Sequence, residues 1–257
     1  MDNRKKEIGK SILSSLISIF VGILIGFIVM LGIAIAREGG VTISDAINGL
    51  VTLISGPFAS GSKKAIVMNF GDMIFYAAPL IMTGLSVAIA FKTGLFNIGA
   101  PGQFLIGAAG SLTVALSFNT GGGIKGFLVW CLAIIVGTIM GMLWGALSGM
   151  FKAIFGANEV IVCIMMNWIA ANLVTWIFDE SKLKNVTEGT KTAYIYKSTF
   201  NNVATSKMGL DKIFPGSQVN GGFIIAVLFC ILLYVVMSKT TFGYQLKACG
   251  LNNHAAK

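Results

Sequence analysis

The chain has 257 residues, 55% of them hydrophobic and only 11% charged, with a mean hydropathy of +0.83. A soluble domain carries about 25% charged residues, so a water-facing globular fold is excluded and a protein built into a membrane is indicated. The net charge of +9 does not point to nucleic acid, because Lys and Arg gather at the ends of apolar runs, where they anchor helices at lipid headgroups.

Residues 11–36 are uncharged over 26 positions, which at 1.5 Å per residue exceeds the ~30 Å hydrocarbon core. The basic start (Arg4, Lys5, Lys6, Lys10) and the Ala34-Ile35-Ala36 ending imitate a cleaved signal peptide. A signal core runs only about 7–15 residues, however, so a retained first helix is expected. Residues 46–62 are also uncharged, but Asn48, Gly49, Gly56 and Pro57 make them too polar and broken to cross; an interfacial or re-entrant segment is expected there. The next span is predicted over 73–91. Residues 93–124 hold 32 uncharged positions, too many for one straight helix, and include Gly94, Asn97, Gly99, Pro101, Gly102 and Gln103. We read an irregular lead-in at 94–103 followed by a third span over 104–118. Spans over 126–151, 160–178 and 219–238 bring the total to six. The predicted class is all-α: a single polytopic membrane domain of about six transmembrane helices, with a broken segment before the third.

Backbone left unpaired in lipid costs several kcal/mol per group. The stretch 94–103 must therefore be shielded by protein, line a wet cavity, or lie at the surface as a simple connection. In the fourth span Gly137, Gly141, Gly145 and Gly149 recur every four residues, and the first carries Gly22 and Gly26. Small residues let helix backbones approach closely in lipid, so these positions predict packing. Residues 181–218 form the long hydrophilic connection, with six lysines. Six spans place this connection opposite the amino terminus. The basic start, together with Lys92, Lys152 and Lys239 closing the even-numbered spans, favours a cytoplasmic amino terminus, while the loop lysines argue the other way.

The residues offer little catalytic or metal chemistry. Cys131, Cys163, Cys230 and Cys249 show no C-x-x-C spacing, and His254 is the single histidine, so no metal site and no cofactor are expected. Gly121 to Gly126 fits G-x-G-x-x-G without the soluble βαβ unit that a dinucleotide site requires. Gly56 to Lys64 has phosphate-loop glycine spacing, but Ser62 stands where the lysine must be. Asp72 and Glu159 open the second and fifth spans. Each is either a helix-start carboxylate favoured by the dipole and able to cap free amides or, for Glu159 with the preceding Asn158, a structural or gating group. Trp168, Asn172 and Trp176 lie at intervals of four in the fifth span. That stripe suits either an aromatic polar ligand or an interfacial belt with Asn172 bonded to a neighbouring helix.

Three segments resemble a known family. Phe91 to Gln103 (FKTGLFNIGAPGQ) resembles the signature of permease subunits of bacterial ABC importers in the ribose and branched-chain amino acid group, in particular the nucleoside and simple-sugar branch. Gly156-Ala157-Asn158-Glu159-Val160-Ile161, followed by Met166-Asn167-Trp168-Ile169-Ala170, is similar to a second signature of that branch. Thr241 to Ala256 is similar to the start of the cytoplasmic loop that engages the ATPase. The first signature more often has Glu where this chain has Pro101. The family's permeases continue past this loop with more helices, whereas the chain stops at Lys257, so a fragment is expected.

The resemblance implies a multi-pass protein of a bacterial cell membrane. It would pair with a second permease subunit as a heterodimer, sit on ABC ATPase subunits and receive solute from an extracellular substrate-binding lipoprotein. ATP hydrolysis would then belong to a partner chain and not to this one. It also implies a neutral solute, a nucleoside, on a path bordered by Asn97, Gln103, Asn167 and Trp168. Loop 181–218 would be extracellular. Loop 239–257 would be cytoplasmic and couple to the ATPase through Gly243, Ala248, Gly250, Asn252, Ala255 and Ala256. A sugar or branched-chain amino acid is the alternative solute. An ion-coupled secondary transporter would typically place a carboxylate deep within a span, and a membrane enzyme would need an intramembrane catalytic cluster; neither is present in the sequence.

Overall fold

A computed structural model describes residues 2–36, 42–59, 61–118, 123–184 and 205–251. The chain divides into two compact units, 1–70 and 71–257. Among the described residues, five helices are long and apolar enough to cross a membrane. With no strand among the described residues, the protein is a polytopic helical membrane bundle.

The first unit contains α1 (Asp2–Ala36) and α2 (Ile43–Ser55), with a 3-10 turn at Gly56–Ala59. From Ile12 to Ile33 α1 is apolar on every face, as lipid on all sides requires. Gly22 and Gly26, expected to pack closely, have nothing within 4 Å of an added Cβ. α2, at 13 residues, is too short to span. Its start is a capping box, in which Asp45 N donates to Thr42 Oγ1 (3.2 Å) and Thr42 N donates to Asp45 Oδ2 (2.8 Å). The Thr42 backbone N–H foremost, and second its hydroxyl, which donates to Asp45 Oδ2 at 2.7 Å, hold the Asp45 carboxyl below its ordinary range.

α3 (Lys63–Lys92) enters the second unit at Gly71. α4 (Ala100–Ser117), α5 (Gly123–Phe155) and α6 (Glu159–Asp179) follow. After a single turn, α7 (Leu210–Ile213), come α8 (Gly222–Lys239) and α9 (Thr241–Leu251). Residues 185–204, most of the first half of the polar connection, lie outside the described residues, as do Gly121 and Gly122 of the chance glycine motif.

α3 begins ten residues ahead of the predicted span. Asp72 is consequently inside a helix and not at its start, and no amide of its own helix is left for it to cap. Its Oδ1 instead accepts from Gln218 N at 2.7 Å. A Cβ on Gly71 would lie 2.5 Å from Ser217 Oγ, so the connection before α8 is seated against this part of α3.

α4 begins at Ala100, four residues before the predicted 104. Pro101 stands in its first turn, where a missing N–H is tolerated because that group has no helical partner anyway. Glycine spacing explains why this polar-tipped helix lies at the centre. A Cβ on Gly107 would sit 3.0 Å from Gly137 O, one on Gly141 3.3 Å from Gln103 O, and one on Gly145 3.0 Å from Gln103 Nε2. Ser111 Oγ donates to Ala133 O across the same contact at 2.9 Å. Three of the four stripe glycines in α5 thus face α4, while Gly149 has open space.

This asymmetry predicts the effect of bulk. Gly137→Leu drives a side chain into Ser111 and the Gly107 carbonyl, and overpacking of this kind costs roughly 1–3 kcal/mol. Thermal unfolding in detergent should show a clear loss for Gly137→Leu and little change for Gly149→Leu.

Candidate functional site

Seven residues between α3 and α4, Thr93–Gly99, leave regular pairing around the turn at Gly94 (φ 76°). A turn of this sign favours glycine because a Cβ is strained there. The start is closed locally: Leu95 N donates to Ala90 O (2.9 Å) and Thr93 Oγ1 to Ala90 O (2.8 Å). Further along, the segment depends on α6. Phe96 N donates to Glu159 Oε1 at 3.0 Å. Ile98 O accepts from Asn167 Nδ2 at 2.9 Å, and Gly102 N donates to Asn167 Oδ1 at 2.9 Å. Asn97 Oδ1 accepts from Gly99 N at 2.9 Å, with the buried Cys163 Sγ 3.9 Å away.

Glu159 does not cap its own helix. That role falls to Asn158, whose Oδ1 accepts from Val160 N at 3.0 Å. Freed from capping, the Glu159 carboxylate reaches across to Phe96 N and forms an ion pair with Lys152 near the end of α5. One carboxylate therefore ties α5, α6 and the broken segment together. Its side chain is 24% exposed and that of Lys152 42%, so the pair lies between the buried and surface limits.

These elements enclose a cavity of about 160 Å³ lined by Leu95, Phe96, Asn97, Gln103, Ser148 and Cys163, with Lys152 and Glu159 at its edge. The predicted path residues Asn97 and Gln103 thus line one space. Asn167 is adjacent but spends both amide groups on backbone, which makes it a clamp for the segment. Trp168 lies elsewhere: it projects from the face of α6 opposite Cys163, Met166 and Ala170, is 69% exposed, and shares a shallow groove with Asn172 and Trp176. Asn172 Nδ2 donates to Trp168 O at 2.8 Å within the same helix, so among the described residues this stripe is separate from the cavity.

Four participants escaped sequence reasoning. Lys152 had a readable signal, a lone base ending one helix seven residues before a lone acid opening the next. Ser148, Cys163 and Trp144 had none. The buried Trp144 Nε1 has no hydrogen-bond partner among the described residues and lies 3.3 Å from where a Gly102 Cβ would be, so a Cβ at 102 would press on both Trp144 and Asn167.

Of the coupling residues, Gly243 is buried where α9 turns back on α8, and an added Cβ there would meet Met237 Cα at 2.6 Å. Ala248 and Gly250 lie in α9, while Asn252, Ala255 and Ala256 are outside the described residues. Gly250 abuts the Lys92–Gly94 turn: a Cβ on Gly94 would lie 3.1 Å from Gly250 Cα, and one on Gly250 would lie 3.0 Å from Gly94 N.

The ion pair makes a graded prediction. Glu159→Gln keeps an acceptor for Phe96 N, whereas Lys152→Met strands a carboxylate, so Lys152→Met should be the more destabilising, by on the order of 1–2 kcal/mol, a value between the surface and buried limits. The double variant should recover part of that difference in thermal unfolding.

The profile of a family described as branched-chain amino acid transport system / permease component matches residues 69–257. The guanosine ABC transporter permease protein NupP of Bacillus subtilis (strain 168) is 32% identical over 219 residues, covering 82% of this chain and 60% of that protein. The nucleoside ABC transporter permease protein NupB of Lactococcus lactis subsp. cremoris (strain MG1363) is 34% identical over 199 residues, 77% of this chain and 52% of that protein. A glucose ABC transporter permease protein, TsgB13 of Haloferax volcanii, is 28% identical over 203 residues, 76% and 51% of the two chains. The chain spans little more than half the length of these relatives. No solved structure matches it. With the profile covering every residue of the cavity and of α9, the chain belongs to the branched-chain amino acid transport system / permease component family.

Proposed function

We propose that this chain is a permease subunit of an ATP-binding cassette importer in a bacterial cell membrane, moving a nucleoside inward by alternating access. The observation that carries the reading is the pair of relatives more than 30% identical, both named as nucleoside or guanosine permeases, each matched over at least 77% of this chain. In this reading ATP hydrolysis belongs to a partner ATPase, since the one phosphate-loop-like stretch has Ser62 in place of lysine. A second permease chain and an extracellular binding lipoprotein complete the assembly.

The chemistry of the cavity supports a neutral solute. Asn97 and Gln103 offer amides suited to hydroxyls and base edges, and the charges of Lys152 and Glu159 compensate each other. A zwitterionic amino acid would need charged partners of its own, and Lys152 and Glu159 already engage each other. At about 160 Å³ the cavity is below the roughly 300 Å³ of small-molecule sites, so passage of a whole nucleoside requires it to open. A sugar is the second reading, favoured by the relative named as a glucose permease.

The length of α3 separates two sides, and the resemblance of residues 241–256 to an ATPase-engaging loop supports which of them is inside. Asp72, which holds the 205–221 connection, and Lys92, beside the cavity, are twenty residues apart on α3, about 30 Å at 1.5 Å per residue and one bilayer core. We place the connection outside and the cavity and α9 inside, with α4 as a sixth crossing.

Two measurements test this. Cells lacking the gene should lose uptake of labelled guanosine or uridine and keep that of ribose and leucine; loss of ribose or leucine uptake alone contradicts the nucleoside assignment. In intact cells an impermeant thiol reagent should label Lys212→Cys and spare Thr241→Cys, and the reverse pattern overturns the orientation.

A further inference from the structure

We propose that the inward helix α9 and the Lys92–Gly94 turn move as one rigid body, and that Gly94 and Gly250 are the positioning residues that make the broken segment, rather than α8, the output of ATPase motion. The proposal rests on the importer reading above and adds a route to it. Two glycine backbones meet here with no side chain between them: Gly94, at φ 76°, would place a Cβ 3.1 Å from both Gly250 Cα and Gly250 O, and Gly250 would place one 3.0 Å from Thr93 C and against Lys92 O. Backbone in direct contact has no rotamers with which to absorb displacement, so a shift of α9 is delivered to the turn undiminished.

From the turn the displacement has one direction to go. Leu95, Phe96 and Asn97 follow immediately and line the cavity, and Phe96 is bonded to Glu159, which holds Lys152. Movement of the turn therefore changes the wall of the cavity and pulls on the ion pair at its edge. The competing route, through the elbow at Thr240 into α8, leads to a helix whose residues do not line that cavity. Lys92 and Lys247 border a second space, of about 440 Å³, between α3, α8 and α9. They provide handles on the two halves of the seat that leave both glycines intact.

The test uses the complete permease assembled with its ATPase, with Cys131, Cys230 and Cys249 replaced by serine. Lys92→Cys and Lys247→Cys are joined by a short bismaleimide. If the seat is rigid, the bridge forms readily and solute uptake equals that of the unbridged double variant. Gly250→Leu should lower solute-stimulated hydrolysis roughly tenfold, within the range for residues on a coupling route. Gly94→Ala should lower it in the same direction and provides a second reading if Gly250→Leu fails to assemble. A bridge that blocks uptake, cysteines that do not bridge, or full coupling in both glycine variants overturns the proposal. A wild-type complex without solute-stimulated hydrolysis would remove the importer reading, and the relay with it.

Discussion

The arrangement depends on the rule that a peptide group inside a membrane must be bonded within the protein. Between Lys92 and Ala100 the chain gives up helical pairing, and Phe96 N, Ile98 O and Gly99 N find partners on α6 or within the segment itself. Asn167 bonds the segment and the first turn of α4 together, its amide donating to Ile98 O and accepting from Gly102 N. An unmet group of this kind costs about 1–3 kcal/mol, so the two amide contacts outweigh any single dispersion contact nearby. Glycines at 94, 99 and 102 make the arrangement possible, because a Cβ at 99 or 102 would press on Asn97 or Asn167.

The same bonds place function. Because the segment hangs from α6 and does not pack as a helix, its side chains Asn97 and Phe96 are free to face the space beside Gln103 and Gly145. The α5 stripe contributes by letting α4 approach closely at Gly137 and Gly141, while Gly145 gives the Gln103 side chain its room. Glu159 joins the two requirements, satisfying a backbone amide with one oxygen and a lysine with the other. A carboxylate so engaged is poorly placed to bind and release a coupling ion, which separates this site from that of an ion-driven carrier.

Much of the fold was legible because lipid imposes a simple code: apolar runs fenced by lysines became α1, α3, α5, α6 and α8. α4 was harder, since its polar first turn resembles a loop until Pro101 is recognised as a helix starter. Asp72 was misplaced for the related reason that the start of α3 carries too few apolar residues to be seen as part of a span. At the site, Asn97 and Gln103 were legible from the broken composition of their stretch. Trp168 was grouped with them as an aromatic surface for a base, but it stands one residue from Asn167, and one residue along a helix turns a side chain by about 100°, enough to carry it out of the cavity. Lys152 and the Gly94–Gly250 contact arise from tertiary approach, which no local pattern encodes.

The central claim, that Asn167 holds the broken segment closed against the cavity, is tested most directly at Cys163, a buried thiol lining that space. With Cys131, Cys230 and Cys249 replaced by serine, the rate of its reaction with N-ethylmaleimide reports whether the segment is in place. The account predicts slow labelling in the parent and markedly faster labelling in Asn167→Leu, which removes both clamp bonds while keeping the branching of the side chain. Equal rates in the two proteins would contradict it.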